Sequence, residues 1–247
     1  MRVTLLGHGR LGSAIAEGWR LTGTVGDPTI LTRAVPPVCA PDTLALVIAV
    51  KPAAWREAVA PLLDSLPPDA VIVSVMAGVR GEDLAAALPS RPVARVMPTT
   101  AVAQAEGVAA IWSDAASARA VAHSLFDPIA DTVDLDDESL IDAATAVAGS
   151  APAFFYALAH ALAAAGVEAG LSPDTAARLT RGALRSAGAG AGTAVTLDDL
   201  IARIASPGGT TRAGLDALQA SGLDTIARDA VWAAIQRARS LAGDQPA

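Results

Sequence analysis

The sequence predicts an α/β fold: an N-terminal Rossmann-type, doubly wound parallel sheet, abridged after its second strand, then a C-terminal all-α dimerisation domain. Three observations carry this. Short apolar runs alternate with helical stretches through the first half of the chain. The pattern Gly7-x-Gly9-x-x-Gly12 joins the first run to the first helix. Past about Thr132–Leu135 strand signals stop and helix signals continue. The expected division is 1–137 for the dinucleotide-binding domain and 138–247 for the helical domain.

Arg2 to Leu6 reads as a short buried strand, followed by the glycine turn and a helix over roughly Leu11 to Leu21. Thr29–Arg33 is a second strand. Leu44–Val50 is continuously apolar, as expected of a central parallel strand covered on both faces. Val71–Val75 and Val93–Met97 repeat that character, with helices around Trp55–Leu63 and Glu82–Leu88 between them. Between Arg33 and Leu44 lie three prolines, which forbid a helix, and the segment is too short for a full crossover. The outermost strand of the order 3-2-1-4-5-6 is therefore expected to be missing. In the helical half, Ser150 with Pro152 and Ser172 with Pro173 predict helix starts, and Thr196 with Asp199 a weaker one. Gly149, Gly166, Gly170, Gly182, Gly188, Gly190 and Gly192 suit helices pressed closely together, as across a dimer interface.

Composition narrows the function. The 247 residues are 52% hydrophobic but only 3% aromatic, so Ala, Val and Leu must pack the core. A formal net charge of −7, with no basic run, excludes nucleic acid as a partner. A single cysteine, Cys39, excludes an internal disulfide and fits a reducing compartment. The N-terminus runs directly into a strand without a signal-peptide layout, so a cytoplasmic protein is expected. Residues 143–167 lack charged side chains, yet Pro152 and many alanines make a buried interface helix the better reading than a membrane span. Lys51 is the only lysine, so any chemistry needing a lysine has one candidate.

Two loops are built to hold anions. In the first, Gly7 permits a tight turn, Gly9 lets the backbone approach a pyrophosphate, and Gly12 lets helix and strand pack. His8, Arg10 and Leu11 lie within this loop and join it as cofactor-binding candidates. An NAD site would place an acid at the end of the second strand; this chain has Thr32 and Arg33, which suit the 2′-phosphate of NADP. NADP, used as NADPH, is therefore expected, with NAD as the alternative. The second loop, Ser206-Pro207-Gly208-Gly209-Thr210-Thr211, precedes an apolar helical pattern, where free N–H groups and the helix dipole favour a small anion. No metal site is expected, and His8, His123 and His160 read as structural.

The motifs Ala49-Val50-Lys51-Pro52, Ser74–Val79, Met97-Pro98-Thr99-Thr100, Gly149-Ser150-Ala151-Pro152 and Ser206–Thr211 occur in the order seen in pyrroline-5-carboxylate reductases. The last closely resembles that family's signature, and the resemblance covers nearly the whole chain except 34–43. It implies NAD(P)H-dependent reduction of 1-pyrroline-5-carboxylate to L-proline, and a homodimer through the helical domain that can assemble further. By resemblance, Val50, Lys51 and Pro52 line the dinucleotide, Ala77 and Gly78 lie near it, and Met97, Pro98 and Thr99 sit by the nicotinamide. The loop residues Ser206, Gly208, Gly209 and Thr210 would hold the substrate carboxylate. Thr211 would reach the ring nitrogen, and Glu138 matches a position near the substrate. The family usually has Asn at Thr99 and often an uncharged polar residue at Arg203. Two alternatives stay open: a reductase of a different cyclic imine, and an NADP-binding regulator weak in catalysis. A β-hydroxyacid dehydrogenase would need a lysine in the helical domain, and none follows Lys51.

Overall fold

The computed structural model describes residues 2–33 and 38–243. Seven strands form one sheet: β1 (Val3–Leu6), β2 (Thr29–Leu31), β3 (Ala45–Ile48), β4 (Val71–Ser74), β5 (Val93–Pro98), β6 (Gly107–Trp112) and β7 (Ala130–Asp134). Their order is β2-β1-β3-β4-β5-β6-β7. The first five strands run parallel, with Leu5 paired to both Ile30 and Val47. Their side chains are mostly apolar on both faces because both faces are covered. One face packs on α1 (Arg10–Thr22) and α4 (Ala116–Phe126) through Leu5, Trp19, Leu125 and Phe126. The other packs on α2 (Trp55–Val59) and α3 (Gly81–Ala87) through Ile48, Trp55, Ile72 and Leu84. The Trp19 indole N–H, fully buried, donates to Leu125 O at 2.8 Å, so its polar end is satisfied.

The abridgement is present. β2 pairs only with β1, and the described residues between β2 and β3 form no helix or strand. Residues 34–37 of that segment lie outside the described residues. Cys39 is buried in the second core cluster beside Leu31 and Leu46, and burial pushes its thiol pKa up. The Thr43 hydroxyl meets that of Thr4 at 3.3 Å, fastening the end of the connection to β1.

The sheet departs from the all-parallel expectation at one place. β6, not read from the sequence, runs antiparallel to β5, with Val96 opposite Ile111. The connection is a 3₁₀ turn over Thr100–Gln104, too short for the dozen or more residues of a parallel crossover. β7 then pairs parallel to β6.

β7 is an edge strand tied to α4 by a half-exposed polar cluster. His123 meets Asp127 at 2.8 Å through Nδ1 and Asp134 at 3.3 Å through Nε2. Thr132 donates to Asp127 at 2.6 Å, and Arg119 lies 3.5 Å from Asp134. The hydrogen bond to Asp127 raises the His123 pKa, against partial burial. Burial pushes the Asp127 carboxyl up, but hydrogen bonds from Thr132 and His123 leave it below the ordinary value. A raised histidine stabilises the fold fully below its unfolded pKa of about 6.5 and ceases to do so as pH rises through the folded value. Asp127 adds stability above its unfolded pKa, lost as pH falls through the depressed one. In denaturant titrations, wild type should therefore exceed His123→Gln by about 0.5 kcal/mol near pH 5.5, discounted for solvent screening of the aspartates. The difference should fade as pH rises through the raised folded value and the imidazole loses its charge. An advantage that grows at alkaline pH would contradict this.

After Asp134 the described chain is helical: α5 (Ile141–Ala144), α6 (Ala151–Glu168), α7 (Pro173–Ala191), α8 (Leu197–Ile204), α9 (Thr210–Ala220) and α10 (Leu223–Gly243). The Ser172 hydroxyl accepts the Thr175 N–H, and the Thr196 hydroxyl that of Asp199, as the capping patterns require. Ser150 makes no such cap. Its backbone is helical, and a π-helical turn over Thr145–Ser150 carries the chain straight from α5 into α6. Pro152 has no N–H to give an α-helical ladder, and the wider turn before it accommodates that loss.

The chain forms two compact units. The first runs to Gly149 and includes the C-terminal part of α10 from Val231; the second is Ser150–Ala230. The run Glu138–Glu168 is long and apolar enough to cross a membrane by length and composition, with mean hydropathy 1.4. Its start is anchored in the first unit by Ile141 and Ala146, both buried. α6 itself, expected to be buried, exposes Phe155 and Tyr156 at 59% and 64% in the single chain.

Candidate active site

The glycine turn forms at the C-terminal ends of β1 and β3, where the strand order reverses and α/β sheets leave a crevice. Gly7 has φ +103°, and its N–H donates to Leu31 O at 2.9 Å. A Cβ there would lie 2.6 Å from Ala49 O, so the position admits only glycine. A Cβ on Gly12 would overlap the Gly7 carbonyl, so the second close approach is between the helix and its own turn. Gly9 differs. It precedes α1 in ordinary extended backbone, and a Cβ on it would meet no protein atom within 4 Å. The fold does not require glycine at 9; a ligand approaching the first turn of α1 would. The N–H groups of Arg10, Leu11 and Gly12 have no acceptor within the helix, which suits a pyrophosphate.

A cleft of about 640 Å³ opens in front of this turn. It brings together Gly7, His8, Gly9, Thr32, Arg33, Val50 and Lys51, all expected from the sequence. Its far wall was not expected: Ala54, Ala58 and Pro61 give an apolar shelf, and Glu57 adds a carboxylate beside it. The signal was present in the small residues recurring at helical spacing just after Lys51-Pro52. Arg33 and Lys51 add positive charge to the same lining, a set that fits a phosphorylated dinucleotide.

The other expected cofactor residues lie outside the cleft's lining. Arg10 is exposed and borders a separate groove along α1 with Ser13 and Glu17. Leu11 packs against the first core, and Pro52 begins a 3₁₀ turn whose preceding residue is Lys51. Ala77 and Gly78 form the turn after β4, Gly78 with φ +73°. Met97 and Pro98 end β5 and are buried. Thr99 is 7% exposed; its N–H donates to Val108 O at 3.0 Å, and its Oγ1 accepts the Val108 N–H at 3.2 Å. That hydroxyl, standing where relatives usually carry a carboxamide, thus secures the start of β6 through its oxygen.

Glu138 is held within the protein. Its Oε1 accepts the Gly81 N–H at 2.6 Å and pairs with Arg95 Nη1 at 2.8 Å. Arg95, which the sequence reading passed over as one residue of an apolar strand, is 5% exposed.

In the second unit the Ser206 loop ends at the start of α9. Gly208 takes φ +71°, and the Gly209 N–H donates to Ser206 O at 3.0 Å, closing a turn. A Cβ on Gly209 would lie 2.8 Å from Ser206 Oγ and 3.1 Å from Ser206 O, so a side chain there would displace the Ser206 hydroxyl. Thr210 and Thr211 are exposed on the first helical turn, whose N–H groups have no helical acceptor. The loop thus places three hydroxyl-bearing residues next to free first-turn N–H groups, donor types suited to a carboxylate. His160 lies exposed on α6. No cluster of His, Cys, Asp and Glu among the described residues could hold a metal ion.

The pyrroline-5-carboxylate reductase dimerisation family matches residues 138–241. A pyrroline-5-carboxylate reductase of Pseudomonas aeruginosa is 38% identical over 206 residues, covering 81% of this chain and 76% of that protein. One from Aquifex aeolicus is 32% identical, covering 98% and 97%. Among solved structures, Plasmodium falciparum pyrroline carboxylate reductase with NADP bound superposes with a TM-score of 0.81 at 22% identity, covering 98% of each chain, and shares the fold. With the two glycine loops and this identity over most of its length, the chain belongs to the pyrroline-5-carboxylate reductase family.

Proposed function

We propose that this protein reduces 1-pyrroline-5-carboxylate to L-proline with NADPH. The observation that carries this reading is the Ser206–Thr211 turn at the start of α9, whose hydroxyls and free first-turn N–H groups suit a carboxylate, on a chain that also holds a cleft lined by the glycine turn, Arg33 and Lys51. When bound, the cofactor supplies a hydride to the imine carbon. The ring nitrogen, bound as the iminium or protonated from solvent, keeps its proton and becomes the amine of proline. Little acid–base machinery is needed, so positioning dominates. The Gly9 turn and the first N–H groups of α1 hold the pyrophosphate, with His8 beside them. Thr32 and Arg33 hold the 2′-phosphate, while Val50, Lys51 and Pro52 border the dinucleotide. Met97, Pro98 and Thr99 edge the nicotinamide. Ser206, Gly208, Gly209 and Thr210 hold the substrate carboxylate, and Thr211 hydrogen-bonds the ring nitrogen.

Residues 1–137 then serve as the dinucleotide-binding domain, and 138–247 as the helical domain for substrate and dimerisation. The apolar side chains on α6, with Phe155 and Tyr156 foremost, are covered by a second copy of the chain, in keeping with the family match over 138–241. The protein works in the cytoplasm as a homodimer that can assemble further.

NADPH and NADH oxidation, followed at 340 nm with pyrroline-5-carboxylate and with its six-membered homologue, tests the reading. NADPH with the five-membered imine should be the best pair. Activity only with the larger ring would reassign the substrate. A strong NADH preference would sink the role of Thr32 and Arg33, and no activity with any pair would favour a regulator.

A further inference from the structure

A helical run begins at Glu138, continues through α5 and the π-turn, and reaches Gly149. Both of its ends rest on β5. At the start, the Arg95 guanidinium donates to Glu138 Oε1 at 2.8 Å, and that oxygen also accepts the N–H of Gly81, the first residue of α3. At the far end, a Cβ built on Gly149 would lie 2.9 Å from Met97 Sδ, so the π-turn backbone lies directly against the Met97 side chain. Arg95 and Met97 are two residues apart and share one face of the strand. Ser74 on β4 and Trp112 on β6 are the paired neighbours of Arg95.

Arg95 is poorly suited to be there for stability. It is 5% exposed, and its Nε and Nη2 are buried without a hydrogen-bond partner among the described residues. A buried guanidinium with donors unmet costs more than an apolar side chain of similar length. What the ion pair supplies is a fixed location: one carboxylate oxygen pins β5, the start of α3 and the start of the helical run to one another.

We propose that Arg95 is a positioning residue for hydride transfer: through Glu138 it sets the helical run against β5 and so fixes Met97, Pro98 and Thr99 along the nicotinamide. This rests on the reading of Met97–Thr99 as the nicotinamide edge. Hydride transfer depends steeply on the approach of donor and acceptor, and a displacement of about 1 Å lowers rates on the order of 10²-fold.

The test compares wild type with Arg95→Met, Arg95→Lys and Glu138→Gln in the full-length protein. Four quantities are read: Tm, NADPH Kd by fluorescence, the kcat and KM split, and the isotope effect with NADPH deuterated at the transferring position. Arg95→Met should lose 10-fold or more in kcat, on the order of 10 to 10², with Kd and KM within about threefold. Its isotope effect on kcat should rise, since misplacement slows the hydride step itself, and Arg95→Lys should recover part of the loss. A merely structural role would lower Tm and leave the isotope effect unchanged; that result overturns the proposal, as does an Arg95→Met kcat within about twofold of wild type. Should Arg95→Met fail to fold, Glu138→Gln decides, because it keeps the side chain's size but replaces the charged pair with Arg95 by a weaker neutral contact. A lower kcat with a raised isotope effect in that variant supports the proposal, and a wild-type kcat or an unchanged isotope effect overturns it. Wild-type enzyme inactive on the imine would instead defeat the proposed function.

Discussion

Thr211→Ala is expected to lower turnover on pyrroline-5-carboxylate by on the order of 10²-fold, about 2.7 kcal/mol of lost transition-state stabilisation. Thr211 is exposed on the first turn of α9, whose N–H groups lack helical acceptors. In the proposed site it is the one side chain aimed at the ring nitrogen, whose charge changes as the imine becomes an amine. The cap of α9 is Gly209, and alanine is a better helix former than threonine, so the fold should not suffer. The loss should therefore fall on kcat, and Thr211→Ser, which restores a hydroxyl, should recover most of it. Near-normal steady-state turnover in Thr211→Ala would refute the assignment.

The glycine turn allows a second large effect to be split into two parts. Gly9→Ala should leave Tm within a degree or two of wild type, because the new methyl group meets no protein atom. It should weaken NADPH by on the order of 10²-fold, because that methyl group occupies the pyrophosphate's approach. Gly12→Ala should do the reverse in order of cause. Its methyl group overlaps the Gly7 carbonyl, so the turn must shift and the fold loses stability along with the cofactor. Thermal melts and NADPH titrations on the two variants read this directly. A Gly9→Ala protein that binds NADPH like wild type would show that the pyrophosphate lies elsewhere.

Local chemistry made much of this legible in the sequence. The turn after β1, the central apolar strands, the caps at Ser172 and Thr196 and the loop before α9 each announce themselves within a few residues. The trimmed sheet edge was readable too, since prolines and a short connection leave no alternative. What escaped depends on separation. Glu138 finds its donors 57 and 43 residues away, and nothing in its neighbourhood foretells either. β6 is a short run without proline or glycine boundaries on both sides, and its direction follows from the brevity of the turn before it, not from any periodicity. The π-turn replaced an expected start at Ser150 because continuity with α5 outweighed a cap that local pattern favoured. Glu57 hid on a helix whose polar face reads as ordinary solvent exposure.

The rarity of one residue type gives the cleft an unusual transparency to chemistry. Arginine carries nearly all the positive charge, while Lys51 alone presents a side-chain amine, and it does so at the mouth of the dinucleotide cleft. Guanidinium groups ignore reductive-alkylating reagents, so the one side chain modified by them is Lys51, told apart from the α-amine by peptide mass. Shielding of the Lys51 amine becomes a footprint of occupancy, read by mass without a label on the ligand and without disturbing Arg33 or the glycine turn.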